Sequence, residues 1–157
     1  MTSNADKKGP GVKFPPPLVF LCAMLISYWL NNFFPLLHWN SYFWVLLGSS
    51  GIIICIAILG YALLSFYKAK THIEPWQPAS HLITTGLYSH SRNPIYVTFF
   101  ALTISIGLML SNYWMILSAI PSLIIIRVNV IAKEEQYLEQ RFNDSYINYK
   151  KRVNRWL

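Results

Sequence analysis

Two stretches of this chain, 14–67 and 93–126, contain no Asp, Glu, Lys or Arg. A buried core helix rarely needs more than about 10–14 apolar residues, whereas a bilayer crossing takes about 20. A globule of 157 residues has no interior that could enclose both stretches, so their apolar surface must face lipid. Composition agrees: 54% of the residues are hydrophobic and 12% charged, against about a quarter charged in an ordinary soluble domain. The expected fold is an all-α integral membrane protein with about four transmembrane helices, the last two a short hairpin, and a C-terminal cytoplasmic helical segment.

The placement of charge sets the expected topology. All thirteen Lys and Arg fall in three segments: Lys7, Lys8 and Lys13; Lys68, Lys70 and Arg92; and the region from Arg127 onward. Four crossings put these segments on one side, which is the positive-inside pattern and leaves both termini in the cytoplasm, at a bacterial inner membrane or the endoplasmic reticulum. The same clustering argues against nucleic acid as a partner despite the net charge of +7. Residues 2–14 are polar, and the apolar run after them lacks a small-residue cleavage site, so a secretory signal is not expected. Residues 1–13 read as a disordered cytoplasmic tail and 14–157 as one membrane-embedded domain.

Spans are expected at about 17–34, 42–66, 94–110 and 113–132. Asn31, Asn32, His38 and Asn40 form an uncharged connector, and Tyr42, Phe43 and Trp44, with Tyr61 and Tyr67, suit interfacial aromatic belts. Ser111 and Asn112 mark a turn that leaves about 17 residues for each hairpin limb, the lower limit for a span. Pro121 should kink the second limb. Past Ile131 the helix leaves the membrane, Asn143 and Asp144 break it, and an amphipathic piece over 146–156 suits the inner surface.

Two segments can carry chemistry. In the first, 80–96, Asn93 followed by Pro94 is a helix start. Its free amides and positive dipole end can receive a carboxylate or phosphate, and Arg92 adds a planar fork of donors. Thr85 and Gly86 permit a tight turn. A capped helix with Arg92 reaching lipid phosphate is the bland alternative. In the second, the membrane-exit helix, regular spacing puts Arg127, Glu134 and Leu138 on one face and Glu135 on the next. An arginine in an apolar limb is costly without a partner; Glu134 or a ligand carboxylate is the candidate, and adjacent glutamates at a solvated helix end are the alternative. His72, His81 and His90, nine residues apart, suit neither helix nor strand geometry, and Cys22 and Cys55 lie in apolar runs, so no metal site is expected. A Gly-rich dinucleotide fingerprint and a phosphate loop are both missing.

The run from Leu82 to Tyr96, ending Arg92-Asn93-Pro94-Ile95-Tyr96, resembles the signature of the isoprenylcysteine carboxyl methyltransferase and phospholipid methyltransferase superfamily. The second block is similar too: Glu134-Glu135, Phe142-Asn143, Tyr146 to Tyr149, then Lys150, Lys151, Arg152 and Val153. The resemblance covers about 72–156. It implies S-adenosylmethionine as cofactor, with S-adenosylhomocysteine as product, held by the 72–157 region near the cytoplasmic face. A lipophilic or prenylated substrate would enter among membrane lipids. Cofactor contacts carry over to Ser80, His81, Leu82, Ile83, Tyr88, Asn93, Pro94, Ile95, Tyr96, Glu134 and Glu135, and catalytic roles to Arg92, Arg127 and Glu134. Four positions depart from the pattern: Ser80 and Asn93 replace histidines, Asn143 a glycine, and Val130 an arginine for which Arg127 would stand in.

The implied reaction is carboxyl O-methylation of an isoprenylcysteine-like substrate. An ionised carboxylate needs no base; an amine acceptor, as in phospholipid N-methylation, would need one, and Glu135 or His90 would serve. Methylation of a small thiol or alcohol, or a non-catalytic four-span scaffold, are the remaining alternatives.

Overall fold

The structure, a computed structural model, describes residues 9–39 and 41–157. Every regular element among them is helical: α1 (Pro16–Phe33), α2 (Tyr42–Lys68), a 3₁₀ turn (Gly86–Ser89), α3 (Pro94–Met109), α4 (Tyr113–Ile126), a π-turn (Arg127–Ile131), α5 (Ala132–Phe142) and α6 (Asp144–Arg152). Three helices are long and apolar enough to cross a membrane: α1, α2, and one helix of 30 residues that joins α4 to α5. The expected hairpin has a second limb that continues past 131 as a helix to Phe142, ahead of the break expected at Asn143. Its first limb, α3, has 16 residues. At 1.5 Å per residue it spans about 24 Å, less than a hydrocarbon core of about 30 Å.

The chain divides into two compact units. The first comprises 16–59 and 96–126. Here α1 packs against α4, and Phe20 stacks on Phe99 with ring centroids 5.6 Å apart. Large apolar side chains such as Leu25, Ile26 and Trp29 on α1, and Ile53, Ile54 and Ile56 on α2, are exposed. That inverts the soluble pattern, as expected where the solvent is lipid. Close approach comes from small residues. A Cβ on Gly48 would lie 2.6 Å from Met109 N and from Ser105 O, so α2 and α3 meet backbone to backbone.

Polar residues in this unit fasten the ends of helices. Asn112 is 2% exposed. Its Oδ1 accepts from Met115 N at 3.0 Å and caps α4, while Nδ2 donates to Ser27 O at 3.2 Å. Ser27 Oγ donates to Trp114 O at 3.2 Å, and Trp114 Nε1 to Phe34 O at 2.8 Å. Trp39 Nε1 donates to Leu108 O at 3.2 Å and Trp39 O accepts from Ser111 Oγ at 2.7 Å. Helix α4 runs unbroken through Pro121, and Ser122 Oγ donates to Ser118 O at 2.7 Å beside it. The irregular turn comes later, at 127–131.

The second unit comprises 60–95 and 127–157, together with the described residues before Pro16. Of the expected disordered tail, 1–8 lie outside the described residues. Gly9 rests on the backbone of Trp76 and Gln77, and Val12 is 4% exposed. Asn143, at φ 42°, ends α5 and begins α6; the short polar side chain of Asn tolerates that region better than most.

Asn112→Ala removes both the cap and a buried donor, and should cost about 1–3 kcal/mol. Thermal unfolding in detergent should show a lower midpoint. Gly60→Ala, at a helical site with open space around it, should leave the midpoint equal or higher.

Candidate functional site

The polar groups of the second unit converge on Glu135. It is 8% exposed, and both carboxylate oxygens are engaged. Arg155 forks onto it, Nε to Oε1 at 3.0 Å and Nη2 to Oε2 at 2.8 Å. Arg92 Nη1 lies 2.9 Å from Oε1, off the line of its N–H bonds. The Arg92 side chain is 8% exposed and also meets the Tyr146 hydroxyl. Its Nε is buried without a hydrogen-bond partner. One carboxylate thus faces two guanidinium ions, and the cluster carries a surplus positive charge.

The central loop is pinned to the exit helix and C-terminal segment at two places. Near its start, Ala79 N donates to Tyr137 Oη at 3.0 Å and Ala79 O accepts from Arg141 Nε at 2.6 Å. Near its end, Tyr149 Oη donates to Tyr88 O at 2.7 Å, Arg92 N to Asn154 O at 3.0 Å, and Asn93 Nδ2 to Arg155 O at 3.1 Å. Gly86 lets the arch turn. It has φ 63°, and a Cβ there would lie 2.9 Å from Tyr61 Oη. Within the arch Leu82, Ile83 and Thr84 are half-buried, and their backbone groups make no hydrogen bond with other described residues. Peptide groups of a half-buried loop that are not met within the protein are open to water or to a ligand.

Tyr88 is buried at 9% exposure and packs edge-on against Phe66, centroids 5.9 Å apart. Burial, and next the nearby Glu134 charge, push its hydroxyl well above the usual tyrosine range. Burial likewise raises Tyr149, and lifts Tyr146 to about 12, with Glu135 adding and Arg92 opposing. These hydroxyls stay protonated; that of Tyr149 donates to Tyr88 O, and that of Tyr146 accepts from Arg92. Arg155 is held above its ordinary value, chiefly by its hydrogen bond to Glu135.

The sequence-derived residues are placed as follows. Arg92, Asn93 and Glu135 come together, Tyr88 is tied to α6, and Glu134 is half-buried with its charge felt at Tyr88. Pro94 is buried, Ile95 half-buried, and Tyr96, next on α3, is 9% exposed. Ser80 and His81 are exposed, with their amides on Thr71 Oγ1 at 2.9 and 3.4 Å. His90 is exposed beside Ser89 and Gly86 O. The expected Arg127–Glu134–Leu138 face does not form. The π-turn over 127–131 inserts one residue into the helical count. Arg127 therefore aligns with Ile131, Glu135 and Glu139, and all four line a cavity of about 430 Å³ with Lys150 and Arg155. Lys150 is paired with Glu139, whereas the exposed Arg127 side chain has no hydrogen bond or ion pair with a described residue.

Residues 43–145 match the phospholipid methyltransferase family. The chain belongs to that family. Among its relatives, the protein-S-isoprenylcysteine O-methyltransferase of Dictyostelium discoideum is 31% identical over 85% of this chain and 58% of its own length. The enzyme of the same name from Schizosaccharomyces pombe is 30% identical over 60% of this chain and 45% of its own. The solved eukaryotic intramembrane Ras methyltransferase, isoprenylcysteine carboxyl methyltransferase, shares the fold with a TM-score of 0.64. It is 23% identical, and the match covers 87% of this chain and 49% of that one. The chain spans about half the length of the curated relatives it matches. Family membership bears out the resemblance carried by the two sequence blocks.

Sequence reasoning missed Arg155, Tyr137, Arg141 and the inward role of Tyr146 and Tyr149. The spacing of 146 and 149 was a usable signal, since three residues apart on a helix is one face. Nothing local marked Arg155. Glu135→Ala should leave Arg92 and Arg155 without their anion and cost about 3–5 kcal/mol. Thermal unfolding should show that loss, with Glu135→Gln intermediate because it keeps an acceptor oxygen.

Proposed function

We propose that this chain is an integral membrane methyltransferase that uses S-adenosylmethionine to methylate a carboxylate on an isoprenylcysteine-like lipophilic substrate, with both termini cytoplasmic. The observation that carries the reading is the buried Arg92–Glu135 pair, which joins the two family blocks and leaves Arg92 Nε unpartnered. The free peptide groups at Leu82, Ile83 and Thr84 add donors and acceptors suited to a nucleoside. Residues of the loop and exit helix therefore fit the cofactor.

When bound, S-adenosylmethionine supplies an electrophilic methyl group on a sulfonium. The chain's part is to hold and exclude. Leu82 and Ile83 would hold the cofactor through their peptide groups, Glu134 through its carboxylate, and Tyr88 through an electron-rich ring beside a cation. Ser80, His81, Asn93, Pro94, Ile95 and Tyr96 belong to the same proposed set. Arg127, unpaired at the cavity, would hold the acceptor's carboxylate. Positioning of two reactants is worth about 7–11 kcal/mol in favourable cases.

The geometry favours an acceptor that needs no base. Both oxygens of Glu135 are taken by arginines, and His90 sits on the exposed turn beside Ser89. With both oxygens engaged, Glu135 is poorly placed to accept a proton from an amine. The family match keeps phospholipid N-methylation as the second reading.

Purified protein in detergent should bind S-adenosylhomocysteine, seen as a rise in melting temperature; a non-catalytic scaffold would show no rise. With labelled S-adenosylmethionine, label should enter a farnesylated cysteine mimic in preference to phosphatidylethanolamine, and the reverse preference would establish the second reading. Glu134→Ala should weaken cofactor binding about tenfold or more, the loss of one charged hydrogen bond; unchanged binding would remove Glu134 from the site.

A further inference from the structure

Arg155 lies beyond both sequence blocks, in the extended segment that follows α6. An exposed Arg–Glu pair at a helix end contributes little, about 0–1 kcal/mol. This one differs in three respects. The fork lands on a carboxylate that is 8% exposed. The peptide carbonyl of the same residue accepts from Asn93 Nδ2 at 3.1 Å and Ser91 Oγ at 3.4 Å. The carbonyl one residue earlier, Asn154 O, accepts from Arg92 N at 3.0 Å. Two consecutive residues therefore touch 91, 92, 93 and 135.

The consequences follow from donor counting. A carboxylate has about four lone-pair directions. Arg155 takes one on each oxygen in a fixed planar geometry, which orients the Glu135 plane. Arg92 meets only Oε1, and from off the axis of its N–H bonds. Without Arg155, Glu135 would rotate to receive the Arg92 fork, the usual arrangement of such pairs, and Arg92 Nε would turn inward with it. Occupation of Glu135 by Arg155 is what keeps a donor of Arg92 unspent.

We infer that Arg155 is a positioning residue for the cofactor site: its side chain fixes the Glu135 carboxylate and, with Asn154, its backbone fixes residues 91–93, so that Arg92 and the end of the central loop hold their place. This rests on the proposed cofactor reading. Toward the cofactor Arg155 acts through Arg92 and Glu135, while its own side chain also lines the cavity beside Arg127.

The test is titration calorimetry of S-adenosylhomocysteine on the purified chain in detergent, with melting temperatures taken alongside. Arg155→Ala should raise the cofactor Kd about tenfold, and in turnover should raise KM for S-adenosylmethionine by a similar factor. Arg155→Lys keeps the charge but not the fork, so it should recover only part of the affinity while melting within a few degrees of wild type. If Arg155→Ala does not purify, the lysine variant carries the test, since a weakened Kd at a near-normal melting temperature separates positioning from folding. A purely structural role predicts lower melting with an unchanged Kd in either variant, and that result overturns the inference. Failure of the wild-type chain to bind S-adenosylhomocysteine sinks the cofactor reading and this inference together, whereas normal wild-type binding that both variants retain sinks this inference alone.

Discussion

The polar half of this protein depends on a buried carboxylate shared by two arginines. Removing Glu135 and Arg92 from water is expensive, with Arg155 left a third exposed, and such clusters are weak sources of stability. Their value lies in directional demand. Glu135 accepts from Arg155 at fixed angles, Arg92 must lie beside it, and the loop carrying Arg92 must follow. Three segments distant in sequence, the central loop, the exit helix and the C-terminal segment, are thereby held in one register. The surplus positive charge makes the same cluster a receptive place for an anionic group.

The other unit is built on the opposite principle. Its helices expose apolar side chains to lipid and satisfy their backbone groups internally, as a bilayer demands. Polar side chains appear there as fasteners between segments: Asn112, Ser27, Ser111, Trp39 and Trp114 each donate to a backbone carbonyl of another segment. Small residues at Gly48 and Ser105 let backbones approach where side-chain hydrophobicity supplies no drive toward association.

The π-turn at 127–131 carries the largest departure from sequence expectation. A regular helix would direct Arg127 toward Glu134; one inserted residue directs it toward Glu135 and Glu139 instead. The two glutamates consequently part in role. Glu135 is consumed by arginines, while Glu134 remains beside Tyr88. No periodicity argument from the sequence finds this, because a π-turn has no local composition of its own.

Much of the architecture was legible before any coordinates. Long stretches without charge compel membrane helices, Asn93-Pro94 starts α3 as its residue types require, Asn143 ends α5, and the two blocks around Arg92 and Glu134–Glu135 identify the family. These are local properties: burial cost per residue, capping chemistry and fixed spacing. The tertiary structure alone decided which of two adjacent glutamates meets Arg92, and that Arg155 completes the cluster. Each of those depends on where a distant segment arrives in space, and a linear pattern of residues does not encode the angle at which two side chains meet.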